Sequence, residues 1–300
     1  MNPELNRAQG CLAGLCAGDA LGSQFEFMHP GNLRHLDDRE LGMMIGSSIF
    51  HSKPGQITDD AEMALCLANS IIHEGEYSQK HARELYIEWS WSDPIDMGVT
   101  TRSALQNNQF NPKSESNGAL MRIAPLGIHG VNLTPSVLYS YCKEDARITH
   151  INKKVEDCNF MLSYAISLCI KESYTAQRII EAVRGVSFDM DIDVELLDLS
   201  AVRPEDYYSC MGHVDIAFRN AFYHLRNGSS FERAILDTIR MGGDTDTNAA
   251  ICGALIGAYY GQGSIPVKWL TKVLSCNPDR PLRYKTNNIL GQAKKLLDIR

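Results

Sequence analysis

Gly242-Gly243-Asp244-Thr245-Asp246-Thr247 runs straight into Asn248-Ala249-Ala250-Ile251-Cys252-Gly253-Ala254-Leu255-Ile256-Gly257-Ala258-Tyr259-Tyr260-Gly261, and the glycines of this second stretch decide the architecture. Inside a helix a glycine costs about 1 kcal/mol relative to alanine, so three of them at 253, 257 and 261 need a reason. Four-residue spacing sets them nearly on one face, where the missing side chains let another backbone come close. The amino-terminal stretch carries the same mark, with Gly10, Gly14, Gly18 and Gly22 at the same interval. The spacing predicts two helices packed deep in the core, each a candidate partner for the other. For Gly18 and Gly22 a loop past the helix end is the alternative.

Working outward, apolar residues recur at three and four over most of the chain, as in Ala61, Leu65, Ala68 and Ile72, or Leu162, Ile166 and Ile170. Helices are expected over 81–91, 101–107, 119–129, 135–142, 154–172, 176–184, 214–226, 231–240, 248–261 and 284–297. Strand signals are thin. Residues 42–50 could be extended, and 186–204, rich in Asp and interrupted by Pro204, read as a connection. With no repeat or linker to divide it, the chain is expected to form a compact all-α single domain over residues 1–300.

Composition narrows the function classes. Hydrophobic content of 44% and charged content of 22% argue against disorder, collagen and coiled coil. A formal charge of −7, from 36 acidic and 29 basic residues, repels bare phosphate backbones, so no nucleic-acid partner is expected. Nine cysteines, an odd count without a C-x-x-C pair, fit a reducing compartment. The first ten residues carry Glu4 and Arg7 and lack the apolar core of a secretion signal, and the apolar run 249–260 is too short to span a bilayer. A cytoplasmic protein without membrane contact is expected.

The chemistry is concentrated in acidic clusters. In 242–247 two carboxylates and two hydroxyls sit on a glycine-rich turn before a helix. An Asp there can cap the helix, which explains one acid but not two beside paired glycines. Carboxylates two apart on such a turn can converge on a hard cation such as Mg²⁺ or Ca²⁺. Thr58-Asp59-Asp60 repeats the arrangement, although Asp59 with Glu62 also has the spacing of a capping box. Two such clusters would repel one another, and a pair of divalent cations is the economical way to hold four carboxylates together. A third cluster, Gly18-Asp19-Ala20-Leu21-Gly22, leads to Glu26 between Phe25 and Phe27. Asp96 lies in a loop ahead of an expected helix, where capping is its plain alternative. Ser116-Asn117-Gly118 precedes an apolar helix and offers backbone N–H groups to a phosphate, though it is also an ordinary turn. His150 could bond a ligand, and the other eight histidines show no ligand spacing. Nucleophile elbows, Walker loops and the dinucleotide fingerprint are absent.

In this order, residues 14–26, Ile57-Thr58-Asp59-Asp60-Ala61-Glu62-Met63, residues 116–125, Thr149-His150 and residues 242–261 resemble the ADP-ribosylglycohydrolase family, especially its dinitrogenase-reductase-activating glycohydrolase branch. The resemblance implies an all-α fold with two divalent metals, Mg²⁺ or Mn²⁺, at the centre of an ADP-ribose cleft. Carried onto matching positions, it implies a metal shell of Thr58, Asp59, Asp60, Asp244, Asp246 and Thr247, with Glu26 beside it. Asp96, in Asp96-Met97-Gly98-Val99-Thr100-Thr101-Arg102, matches an acid that the arginine-directed branch uses near the scissile bond. Ser116, Asn117 and Gly118 would line the diphosphate, and His150 would reach the distal part of the ligand. Met211-Gly212-His213-Val214 departs from the pattern: relatives usually have an aromatic residue where His213 stands, which bears on a stacking contact to adenosine or acceptor.

The implied activity is metal-dependent hydrolysis of ADP-ribose from a modified protein, most readily the N-glycosidic bond to arginine, with Glu26 and Asp96 as catalytic carboxylates. The alternatives are an O-linked serine or small-molecule substrate, and a non-catalytic immunity or regulatory protein that binds a modified target or its transferase.

Overall fold

The computed structural model describes residues 2–299. Sixteen α-helices follow one another among them: α1 (Pro3–Gly22), α2 (Pro30–Leu33), α3 (Asp38–Leu41), α4 (Asp59–Glu74), α5 (Gln79–Ser90), α6 (Val99–Asn107), α7 (Ala124–His129), α8 (Pro135–Ala146), α9 (Lys153–Lys171), α10 (Ala176–Asp189), α11 (Glu195–Leu199), α12 (Val214–Arg226), α13 (Phe231–Ile239), α14 (Thr245–Tyr260), α15 (Val267–Ser275) and α16 (Ile289–Asp298). Backbone pairing of β type is confined, among the described residues, to a single bridge between Ser116 and His213. The fold is all-α.

The two glycine-marked helices pack against each other, antiparallel and in constant register. A β-carbon on Gly10 would overlap the carbonyl oxygen of Gly257, on Gly14 that of Gly253, on Gly18 that of Ala249, and on Gly22 that of Thr245. All four amino-terminal glycines are therefore helical, and the loop alternative for Gly18 and Gly22 is excluded. Glycine's propensity cost is offset here by backbone-to-backbone van der Waals contact along the shared face. Helices α9, α12, α13 and α16 pack around the pair, which is buried from Gly10 to Gly22 on α1 and from Thr245 to Ala258 on α14.

Three expectations are corrected. Residues 42–50 form no strand: the Ser47 hydroxyl accepts from the backbone N–H groups of Ile49 and Phe50, and this local turn displaces an extended conformation. The connection expected over 186–204 is partly helical, because α10 runs to Asp189 and Asp193 accepts from Glu195 N to start α11. The helix expected over 284–297 begins only at Ile289.

Candidate active site

The register of α1 against α14 brings the carboxyl end of α1 beside the amino end of α14, and the site is built there. The chain leaves α1, turns, and clasps the glycine pair from both directions: Phe27 N donates to Gly243 O at 2.9 Å, and Gly243 N donates to Met28 O at 3.0 Å. Gly242 and Gly243 both hold left-handed φ, +68° and +76°, and a β-carbon at either would overlap a carbonyl oxygen, of Met28 or of Tyr207. The paired glycines are thus required by a close backbone crossing.

That crossing delivers Glu26 to the start of α14. Its Oε2 accepts from Thr245 N at 2.7 Å and Asp246 N at 3.2 Å, so the helix is capped from a distant segment while Asp244, at the N-cap position, makes no side-chain cap. Seven residues earlier, on α1, Asp19 does the same for α4, accepting from Thr58 N at 2.9 Å and Ala61 N at 3.0 Å. The capping explanations for Asp59 with Glu62 and for Asp244 therefore fail. Asp96 caps nothing either: α6 begins at Val99 behind Gly98, and Asp96 Oδ1 accepts from Met97 N at 2.7 Å.

With capping assigned elsewhere, the carboxylates of Asp59, Asp60, Asp244 and Asp246 are left over, and all four are buried. Oxygens of Glu26, Asp244 and Asp246 lie within 4.8 Å of one another. Asp60 Oδ1 and Asp246 Oδ2 are buried without a hydrogen-bond partner. Burial first, and then the charge of neighbouring acids, pushes Asp59, Asp60 and Asp246 well above the ordinary carboxylate range. Glu26 is pushed up to about 8 by burial and by Asp244, and Asp19 to about 7 by burial against the opposing hydrogen bonds of Thr58.

Among the described residues no lysine or arginine forms an ion pair with any of these six acids. The two helix amino ends supply roughly half a positive charge each, and Asp19 and Glu26 already use them. Four buried acids thus lack compensation, with an oxygen-only donor set completed by the Thr58 and Thr247 hydroxyls. The arrangement could hold hard divalent cations, and the orphaned oxygens of Asp60 and Asp246 fit that use.

The acids form the floor of a cleft of about 430 Å³. Glu26, Asp59, Asp244, Asp246 and Thr247 line it, whereas Thr58 and Asp60 lie beneath, with Thr58 Oγ1 3.0 Å from Asp60 Oδ2. Asp96, Ser116, Asn117, Gly118 and His150 line the walls. Asn117 Nδ2 donates to Asp244 Oδ2 at 2.7 Å, tying wall to floor. A cavity of about 460 Å³ between α4, α5 and residues 282–292 has no carboxylate in its lining. His213 is absent from the cleft lining. Its ring turns toward Glu115 and Asp215, at 3.1 and 3.5 Å, and only its neighbours Met211 and Gly212 reach the cleft.

His150 is held at both ring nitrogens. Arg122 Nη1 can only donate, and it does so to Thr149 Oγ1 at 2.8 Å. Thr149 Oγ1 also lies 2.7 Å from His150 Nδ1, and the other ring nitrogen, Nε2, lies 2.8 Å from Ser116 Oγ. Burial, assisted by Arg122, pushes His150 down to about 3, which keeps the ring neutral. Ser116 Oγ in turn donates to Thr100 Oγ1 at 3.2 Å.

Several supporting residues escape sequence reading. Asp19 lies in one of the acidic clusters, where spacing assigns it no role. Arg122, paired with Asp145 at 3.0 Å in full burial, is hidden in an apolar run. Arg280 donates to both oxygens of Glu62, at 2.8 and 2.6 Å, and to the carbonyl of Asp93, joining the first turn of α4 to the loop that carries Asp96. No local signal marks Arg280; an acid in the first turn of an apolar helix could have suggested a buried cation for Glu62.

Comparison with known proteins agrees with this geometry. The family model described as ADP-ribosylglycohydrolase matches residues 1–298. A glycohydrolase of ADP-ribosyl-dinitrogen reductase from Rhodospirillum rubrum is 31% identical over 303 residues, covering 96% of this chain and 97% of the relative. The ADP-ribosylarginine hydrolase Tri1 of Serratia proteamaculans is 30% identical over 296 residues, covering 90% and 76%. A solved structure described as an ADP-ribosylglycohydrolase-related protein complex superposes with a TM-score of 0.82 at 26% identity, over 100% of this chain and 99% of the other. An acid-floored cleft at the junction of two glycine-packed helices, within a chain matched almost end to end, leads to one assignment: the protein belongs to the ADP-ribosylglycohydrolase family of hydrolases.

Proposed function

We propose that this enzyme cleaves the N-glycosidic bond between ADP-ribose and an arginine side chain of a modified protein. The observation that carries the reading is the gathering of Glu26, Asp59, Asp244 and Asp246 from three separate segments on the floor of one cleft, with Asp96 on its wall. The acceptor is argued from Asp96, whose carboxylate suits a guanidinium, and from the arginine-directed name of the Serratia relative.

Thr58, Asp59, Asp60, Asp244, Asp246 and Thr247 would hold two cations, Mg²⁺ or Mn²⁺. When bound, these supply Lewis acidity and orientation for the ribose hydroxyls and lower the pKa of water. The chain's own residues do the rest. Glu26, held by the amides of Thr245 and Asp246, takes a proton from the attacking water. Asp96 faces the departing guanidine and, being half-buried, pairs with it more strongly than a solvated acid would. The Ser116 hydroxyl, exchanging its bond to Thr100, and the backbone N–H of Gly118 bind acceptor oxygens of the diphosphate, while the Asn117 N–H stays on Gly212 O and fixes the turn. Neutral His150 holds Ser116 in place through the hydrogen bond at Nε2.

The test is incubation with arginine-linked and serine-linked ADP-ribosyl proteins in Mg²⁺ and in Mn²⁺. Release from the arginine-linked substrate is expected, and it is abolished in Asp59→Ala and Asp246→Ala with helical circular dichroism retained. Release from serine alone would overturn the acceptor assignment; release from neither would overturn the activity.

A further inference from the structure

Away from the cleft, the last turn of α4 meets the first turn of α5. His73 and Glu74 close α4, Gly75 reverses the chain at φ +78°, Ser78 caps α5, and His81 follows in its first turn. Eight positions separate the two histidines, a spacing that carries no ligand signature in sequence but becomes a juxtaposition across a helical hairpin. Their rings lie 4.9 Å apart between centroids. Glu74 Oε1 is 3.4 Å from His81 Nδ1 and 3.7 Å from His73 Nε2, and all three ligand atoms fall within 4.8 Å of one another. In a tetrahedral site with bonds of about 2.0–2.2 Å, ligand atoms stand roughly 3.3–3.6 Å apart. Two of the three edges are already at or near that length.

Charge compensation separates this cluster from the other mixed one. At Glu115, His213 and Asp215 the ammonium of Lys154 sits 2.6 Å from Glu115 and 3.6 Å from Asp215, so a cation is already in place. Among the described residues Glu74 has no lysine or arginine partner: its ion-pair contacts are His73 and His81, and nearby Lys80 pairs with Glu84. Ser70 Oγ, 3.1 Å from His81 Nδ1, is the one other side-chain group bonded to that nitrogen, and a neutral hydroxyl is readily displaced. Two imidazoles with one carboxylate suit a borderline ion of the zinc class and disfavour Mg²⁺. His73 is largely exposed, so water has access to the fourth position.

We propose that His73, Glu74 and His81 form a zinc site that staples the end of α4 to the start of α5. It stands about 22 Å along α4 from Asp59, at 1.5 Å per residue. Its donors differ in kind from the oxygen-only set of the cleft, and the inference does not depend on the proposed reaction.

Calorimetric titration of the full chain with Zn²⁺ in saturating Mg²⁺, with Co²⁺ as an optical probe, tests it. One Zn²⁺ per chain is expected, bound at least tenfold more weakly in His73→Ala and in His81→Ala, with loss of the Co²⁺ visible bands. His73→Ala alters an exposed side chain and keeps the Mg²⁺-dependent melting temperature of the parent, so loss of zinc there is not loss of fold. No uptake by the parent, equal affinity in parent and His73→Ala, or zinc binding removed by Asp246→Ala instead would each overturn the proposal.

Discussion

The substitution Asp246→Asn should make the metal-free protein more stable and the metal-loaded protein comparatively less so. The introduced amide would keep the acceptor that Thr247 N uses at 2.8 Å, and its nitrogen would replace an oxygen that is buried without a partner. That nitrogen can donate toward Glu26, whose charge is among the causes that raise the Asp246 pKa. Two unit charges 4.8 Å apart repel by about 3.5 kcal/mol at an effective dielectric of about 20. Protonation of Glu26 and of Asp246 itself near neutral pH removes part of this, leaving a gain of about 1–3 kcal/mol, or about 2–5 °C in melting temperature for a chain of this length. With divalent ion at a hundredfold excess over its dissociation constant, the parent should gain about 2.7 kcal/mol by mass action, and the variant, short of a ligand, much less. Thermal unfolding of both proteins, in chelator and in millimolar Mg²⁺, should therefore show the order of stabilities invert. A variant less stable than the parent in chelator, or one that gains as much from Mg²⁺, would refute the view that uncompensated acids are gathered for a cation.

The raised carboxylates also give the metal-free protein a pH signature. Glu26 and Asp19, pushed up to about 8 and about 7, contribute stability that is complete below their ordinary values near 4 and is lost as pH rises through the raised ones. The melting temperature in chelator should fall between about pH 5 and 8 and flatten in Mg²⁺; a rise over that range would contradict the charge inventory. Glu26→Gln should lower turnover by at least about a hundredfold, as loss of a general base does, while ADP-ribose affinity measured by calorimetry stays within a few-fold. An unchanged rate would remove Glu26 from the reaction. Arg280→Met leaves Glu62 buried without its cation and should cost about 3–5 kcal/mol in urea unfolding, with a loss below about 1 kcal/mol showing that the pair is dispensable.

What could be read from sequence follows from how local each signal is. Gly10, Gly14, Gly18 and Gly22 announce a close helix contact because the cost of each glycine is intrinsic to its own helix. The acids at 59, 60, 244 and 246 are legible because each pair lies within three residues. Capping misleads for the opposite reason: local spacing makes Asp59 and Asp244 the natural caps, but Asp19 and Glu26 reach the same amides across 39 and 219 residues. No window of sequence contains that competition. His213 shows a different limit. Its match to an aromatic position of relatives implies a cleft residue, yet the ring turns toward Glu115, which is remote in sequence, and Asp215.

The same packing that makes the fold makes the site, and this predicts a gradient along α1. Gly10 and Gly22 stand twelve residues apart, about 18 Å on a helix, and both press on α14 backbone. A methyl group at either must push the helices apart, a strain of about 1–3 kcal/mol or more. At Gly10 the displacement falls at the end of α14 remote from the acids, against Gly257 and Gly261. At Gly22 it falls on Thr245 and Asp246, where Glu26 Oε2 must stay within hydrogen-bond reach of two amides for the carboxylates to converge. Gly10→Ala should therefore lower the melting temperature while leaving the Mg²⁺ dissociation constant within about twofold. Gly22→Ala should lower both stability and affinity, the latter by tenfold or more. Calorimetric Mg²⁺ titration of the two variants separates the cases: equal weakening would mean that the helix pair moves as one rigid body, and that the register of α1 positions the acids only through the fold as a whole.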